Sequence, residues 1–202
     1  MKSATILALV GALAGAPAFA AGPPDPDWPC IQRRQPALSI GQVWGGPPPD
    51  AAAEGKATQG EVQNLAHVIA LRRTDMAEVE ALVAKFAEDA DAPALTGLFL
   101  ATFGEIQAQR NRVMSGITRY AHKQEALDIR INEMRRDFDK LMAVDDKDKD
   151  FDAIDKLEQE IDWSTRIFQD RQQSLTYVCE TPVILEQRAF AIGRAIAAKL
   201  PQ

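Results

Sequence analysis

An apolar side chain recurs every three or four positions over residues 99–141, and this spacing constrains the fold more than any other feature of the chain. Steps of four and three alternate without interruption for six heptads. The positions of this first seam are Phe99, Phe103, Ile106, Arg110, Val113, Ile117, Tyr120, Gln124, Leu127, Ile131, Met134, Phe138 and Leu141. Only Arg110 and Gln124 depart from the apolar and aromatic pattern. A repeat of 3.5 residues is typical of a helix that packs along another helix in a coiled coil.

A second seam follows a charged stretch and supplies the partner helix. Its positions are Ile154, Leu157, Ile161, Ser164, Phe168, Arg171, Leu175, Val178, Leu185, Ala189, Ile192 and Ile196. The alternating aspartates and lysines between the seams predict a solvated tip at about residues 144–151. Two facing seams joined by a short turn predict a long antiparallel hairpin, in a register where Ile131 faces Ile161 and Phe99 faces Gly193.

Two short amphipathic helices precede the hairpin. Thr58 and Glu61 stand in capping-box relation at the start of the first short helix. Asp91 and Pro93 are typical of the cap and first turn of the long helix. The apolar positions of the short helices are Val62, Leu65, Ala66 and Ile69, and then Val79, Leu82, Val83 and Phe86. We expect an all-α fold in which these helices pack at the base of the projecting hairpin, within a helical domain spanning residues 57–202.

Residues 21–56 are rich in proline, which removes amide donors from helices and sheets. Trp28 and Trp44 lie among these prolines. The interpretation favoured here is an extended arm whose tryptophans pack on the helical body, and the alternative is that one of them anchors a partner protein.

The first 20 residues have the pattern of a cleavable secretory signal. Lys2 precedes an apolar run, and Ala18, Phe19 and Ala20 form a small-residue cleavage site. The apolar run is too short for a bilayer span of about 20 residues. We therefore expect a periplasmic or secreted protein with no stable membrane insertion after signal cleavage.

Cys30 and Cys179 are the only cysteines. An even number of cysteines in an exported chain favours a disulfide, which here would hold the arm against the last helix.

Composition and motifs argue against several classes of function. A formal net charge of -6 disfavours nucleic acid, whose binding depends on clustered lysine and arginine. No phosphate-binding loop, nucleophile elbow or metal-ligand spacing occurs, and His67 and His122 lie on different predicted helices. We expect no enzymatic activity, no cofactor and no metal, with His122 on the surface facing Asp170.

Arg110 is the charged residue of the first seam. It is expected either to donate to a backbone carbonyl near Val178, which Pro182 leaves without its helical amide donor, or to extend outward to solvent.

The remaining chemistry is recognition. In the predicted register, Ile129 lies beside Trp163, with Ile167 one turn further along, and an exposed tryptophan with aliphatic neighbours is typical of a protein-binding patch. Its occupant would be another exported protein or a second copy of the chain in a homodimer. The function expected is that of a scaffold, assembly factor or chaperone-like accessory. One alternative is a carrier of a small ligand or metal, with a pocket in the helical head, which is the region where the two short helices pack on the base of the hairpin. The other is an enzyme of an unrecognised helical class.

Overall fold

The protein is all-helical over residues 25–201, the range that the computed structural model describes. The elements in chain order are α1 (Ile40–Val43), α2 (Ala51–Ala57), α3 (Gly60–Ala70), α4 (Met76–Ala87), α5 (Ala92–Met142), a 3₁₀ turn (Asp146–Asp148) and α6 (Phe151–Ala197). The two long helices pack against each other, as the two seams predict. The predicted signal sequence lies outside the described residues.

None of the helices within residues 25–201 combines the length and the apolar composition needed to span a bilayer.

The start of α5 matches its sequence signals. The Asp91 carboxylate accepts the amide of Ala94 at 2.8 Å, and Pro93 occupies the first turn, where its missing amide costs nothing. The 51 residues of α5 extend about 75 Å, and the 47 residues of α6 about 70 Å. These two helices are therefore much longer than any other element of the described chain.

Burial follows the predicted seams with one correction. Every position of the first seam is buried or half-buried, whereas Arg171 and Val178 of the second seam are exposed. Cys179, one residue after Val178, is buried instead, because its disulfide to Cys30 draws that side of the helix under the N-terminal segment. α6 also continues without a break through Pro182.

Contacts between the two long helices pair rising residue numbers of α5 with falling numbers of α6. The Tyr120 hydroxyl donates to the carbonyl of Arg171 at 2.7 Å, and the Gln124 amide donates to the carbonyl of Phe168 at 3.1 Å. At the other end, a Cβ on Gly193 would touch the Phe99 ring. These contacts join the two long helices at three levels.

The core lies where α1–α4 pack on the base of α5 and α6. Trp44 stacks on Phe99 with ring centroids 4.2 Å apart, and Gly193 leaves room for the carbonyl of Val43. The largest buried apolar residues of this core are Ile69, Val79, Val83, Leu95, Leu98, Phe99, Ile106, Leu185, Ile192 and Ile196. The apolar positions predicted for α3 and α4 are thus buried or half-buried.

Two details of the N-terminal half differ from expectation. The range 21–56 is not extended throughout, because it contains α1 and most of α2. Asp50 follows three prolines and caps α2 by accepting the amide of Ala53 at 2.8 Å, and alanines then continue the helix. Thr58 does not cap α3. Its hydroxyl donates to the carbonyl of Gly55 at the end of α2 instead.

Candidate protein-binding face

The N-terminal segment, residues 25–39, covers one side of the α5–α6 pair, which we call the arm side. Trp28 is 8% exposed and packs on Met114 and Ile117. Leu38 donates its amide to the Gln107 side chain at 3.2 Å. The disulfide between Cys30 and Cys179 holds the segment on α6, as predicted from the cysteine count. Contacts of the segment are therefore distributed over both long helices.

Arg110 lies beneath this segment and is 1% exposed. Its guanidinium bonds to a Glu186 carboxylate oxygen, with Nη2 at 2.7 Å, and donates from Nη1 to the carbonyl of Pro36 at 3.2 Å. A further bond reaches the carbonyl of Gln35. Both expectations for Arg110 were wrong, since it neither contacts a carbonyl near Val178 nor extends to solvent. The carbonyls it binds belong to residues distant in sequence.

The opposite side of the pair, which we call the open side, is covered by residues 25–201 only at its base. There His67 of α3 lies 3.5 Å from a carboxylate oxygen of Glu105 on α5. On α6, Arg188 donates from Nη2 to the carbonyls of Ile69 and Thr74, at 2.7 and 2.8 Å. Burial lowers the pKa of the Arg188 guanidinium below its ordinary value. The connection between α3 and α4 is thus fixed at the level of Arg188.

Between Arg188 and the start of α6, apolar side chains on the open side are not covered by any element of the described chain. Tyr177 is 70% exposed and Trp163 is 64% exposed. Together with three neighbours they form what we call the open face: Trp163, Ile167, Tyr177, Val178 and Ile184. At 100° per residue these positions, like Arg188, fall within about one third of the circumference of α6.

The margin of the open face on α5 is basic. Lys123 and Arg130 are exposed on the same side of α5 as Glu105, by the helical repeat. Among the ion pairs formed by residues 25–201, none includes Lys123 or Arg130. The face therefore combines an apolar surface on α6 with a cationic edge on α5.

The structure separates the partner-binding residues suggested by the sequence. Trp163 and Ile167 share the open face, with Ile167 half-buried. Ile129 is exposed but lies 200° around α5 from both Leu127 and Ile131, so it points away from the seam and is not adjacent to Trp163. Trp28 and Trp44 pack within the chain, which is the first of the two interpretations of the arm. We do not assign them to a partner.

Tyr177, Val178 and Ile184 were missed by the sequence reasoning. The separations between Trp163, Tyr177 and Ile184 are multiples of seven residues, so the three occupy one heptad position. This second apolar repeat could have been found by examining the positions outside the seam. Val178 gave no such signal, because the sequence placed it inside the seam.

The tip carries a smaller group of exposed apolar residues. Phe151, the first residue of α6, is exposed, as are Met142 and Val144. Hydrogen bonds from lysines lower the pKa of two nearby exposed carboxyls, Asp137 and Asp146. These residues lie at the far end of α5–α6 from the packed core.

The helical head has a shallow cavity of about 400 Å³ between α3, α4 and the start of α5. Val62, Leu65, Leu82 and Phe86 line it, and charged side chains stand around its rim. Three buried side-chain atoms in the described chain are without a hydrogen-bond partner, and none belongs to a residue lining this cavity. The cavity offers an apolar surface but no buried polar group to orient a ligand.

No three histidine, cysteine, aspartate or glutamate side chains within residues 25–201 come together as a metal site. His122 pairs with Asp27 at 2.8 Å rather than facing Asp170, because the N-terminal segment reaches its side of α5.

No protein-family model matches this chain, and the comparisons with curated proteins and with solved structures likewise find no match.

Proposed function

We propose that the protein is an exported, non-catalytic interaction protein, a scaffold, assembly factor or chaperone-like accessory, that binds another exported protein through α5–α6. In this proposal the two helices act as a long antiparallel coiled-coil hairpin that projects from the packed base. The observation that carries the proposal is the open face, where two aromatic side chains are more than 60% exposed beside a basic margin.

The physical argument concerns the cost of exposing such residues. Tyrosine and tryptophan are enriched where a few residues supply most of the binding energy, because they bury large areas with few rotatable bonds. A partner that covers these side chains removes their apolar surface from water, which favours binding by roughly 25 cal/mol per Å² of that surface. Tyr177 and Trp163 contribute little to the fold in return, since most of their surface is in water.

The location of the protein is part of the proposal. The disulfide between Cys30 and Cys179 supports an oxidising compartment, because reducing conditions in the cytosol keep most protein thiols free. The predicted signal at residues 1–20 supports the same compartment from the sequence. We propose a periplasmic or secreted protein on these two grounds.

Photocrosslinking tests the proposal. A photoreactive residue replaces Trp163 in the full chain, produced in its own cells, and a matched variant carries it at Gln172, an exposed position of α6 on the arm side. We expect Trp163, and not Gln172, to capture one defined exported protein. Sizing and light scattering should show an elongated monomer. Capture at neither position, or equal capture at both, would contradict the proposal.

A carrier function is the second candidate, and the cavity between α3 and α4 is the observation that favours it. Its apolar lining suits a small hydrophobic compound rather than a charged one. Native mass spectrometry of protein purified from its own cells tests this. A constant added mass, lost when Leu82→Trp fills the cavity, would support the carrier function, and protein of the bare chain mass would argue against it.

A further inference from the structure

We infer that the open face binds a single amphipathic α-helix of the partner, about 20 residues long, with an acidic edge that lies against Lys123 and Arg130. The inference rests on the proposed function and specifies the kind of surface that the partner presents.

The spacing of the exposed residues favours a helical partner. Trp163, Tyr177 and Ile184 repeat at multiples of seven residues, and Ile167 and Val178 lie beside them. A stripe with this repeat follows α6 along its length, so a second helix can stay in contact with it over several turns. A strand or an irregular loop would meet only part of such a stripe.

Continuity with the packing of α3 and α4 supports the same conclusion. Those two helices already lie on the open side of α5–α6, and their connection is bonded to Arg188. Ile184, the residue of the open face nearest to Arg188, is one helical turn from it on the same side of α6. The partner helix would therefore continue a surface that binds helices within the chain itself.

The free length of this surface limits its occupant. Trp163 to Ile184 spans 22 residues of α6, or about 32 Å, which matches a helix of similar length. A second copy that docked its own pair antiparallel on this face would extend its tip about 18 Å beyond Ile184, where α3 and α4 lie. A separate short helix meets no such obstruction.

The charged residues around the open face favour a partner helix with a particular charge pattern. Lys123 and Arg130 border the face on α5, and glutamate or aspartate at the edge of the partner helix would pair with them. Asp170 occupies the same heptad position as Trp163 and Tyr177, in the middle of the stripe. One lysine or arginine in the centre of the partner's apolar face would meet Asp170 and set its register.

Designed peptides test the inference without knowledge of the partner. The probes are a labelled 22-residue helix with leucines in a heptad pattern, one central lysine and glutamates along its edges, and the same helix with lysines along its edges. A third peptide has the composition of the first in scrambled order. Fluorescence anisotropy measures binding to the purified disulfide-bonded protein. We expect the glutamate-edged helix to bind about tenfold more tightly than the lysine-edged helix, and the scrambled peptide not to bind.

Three variants separate the contributions. Tyr177→Ser should weaken binding of the glutamate-edged helix about tenfold or more. The double change Lys123→Glu and Arg130→Glu should reverse the preference between the two helical peptides. Gln172→Ala, on the arm side, should leave binding unchanged. Equal thermal melting of all variants would show that the fold is retained.

The inference is wrong if no helical peptide binds, if the scrambled peptide binds equally well, or if the charge reversal leaves the preference unchanged. It is also wrong if the protein is a dimer that Tyr177→Ser makes monomeric, because a second copy then occupies the face. Capture of a partner at Trp163 without peptide binding would leave the proposed function standing and remove only the helical mode of binding.

Discussion

The two sides of the α5–α6 pair flank the same seam but differ in how far the rest of the described chain covers them. On the arm side the chain covers its own helices, and Trp28 is 8% exposed. On the open side α3 and α4 stop at Arg188, and Tyr177 is 70% exposed. The two sides therefore differ in how much of α5–α6 the described chain covers. The N-terminal segment is held on its side by individual hydrogen bonds and one disulfide, and each of these can be removed separately.

Arg110→Ala is the change expected to damage the arm side most. The buried guanidinium compensates the Glu186 carboxylate and two backbone carbonyls, and its removal leaves all three without that partner. Loss of one partner from a fully buried charge pair costs about 3–5 kcal/mol of the free energy of unfolding, and we expect a loss at the lower end of this range because Glu186 is only half-buried. Urea unfolding followed by circular dichroism measures this. Arg112→Ala, at an exposed position two residues away, should change stability by less than about 0.5 kcal/mol. Similar losses for both would contradict the role assigned to Arg110.

Trp28→Ala and Trp163→Ala compare the two sides directly. Removing the buried Trp28 ring leaves a space against Met114 and Ile117, and we expect a loss of about 3 kcal/mol. Trp163 is mostly in water, so its removal should cost less than about 1 kcal/mol. The same unfolding experiment measures both. A loss for Trp163 as large as that for Trp28 would mean that Trp163 supports the fold, and the open face would no longer be a free surface.

The seam was predictable from the sequence because its spacing is a property of one helix. The bonds of Arg110 were not predictable, because the carbonyls of Gln35 and Pro36 come from a segment whose path depends on the whole fold. The prediction that Val178 lies in the buried seam was wrong for a related reason. The disulfide and the arm bury Cys179 beside it, and a seam read from one helix has no information about a third layer.

The open face was predictable only in part. Trp163 and Ile167 stand out in a charged stretch, whereas Tyr177 and Ile184 resemble ordinary members of a long amphipathic helix. Their exposure depends on where α3 ends and α4 begins, because that connection, bonded to Arg188, determines how far the short helices cover α6. Sequence periodicity identifies the stripe but not which part of it is covered.

Removal of the disulfide tests whether the arm needs its covalent bond. Cys30→Ser and Cys179→Ser should each lower the free energy of unfolding by about 2–3 kcal/mol, because the unfolded chain regains the freedom of a long loop. The two variants should behave alike, since each removes the same bond. A serine pair at both positions should equal either single change. Different losses for the two single variants would show that one cysteine has a role beyond the bond.

Titration of Tyr120, which lies in the seam, is the prediction with the smallest expected effect. Burial raises the pKa of the Tyr120 phenol above its ordinary value, opposed in part by the positive charge of Arg171. A raised pKa in the folded state means that the neutral phenol is stabilised by folding. This stabilisation is present below about pH 10, the pKa of an unfolded tyrosine, and is lost as the pH rises through the folded value.

The variant Tyr177→Phe leaves Tyr120 as the only tyrosine, because the chain has two. Absorbance at the tyrosinate band, followed as the pH is raised, should show a higher midpoint in the folded protein than in urea. In Tyr120→Phe the fall in stability above pH 10 should be smaller than in the parent chain. Equal midpoints with and without urea would show that the Tyr120 hydroxyl is not held against the carbonyl of Arg171. The contacts of the seam beside the open face would then be looser than those beneath the arm.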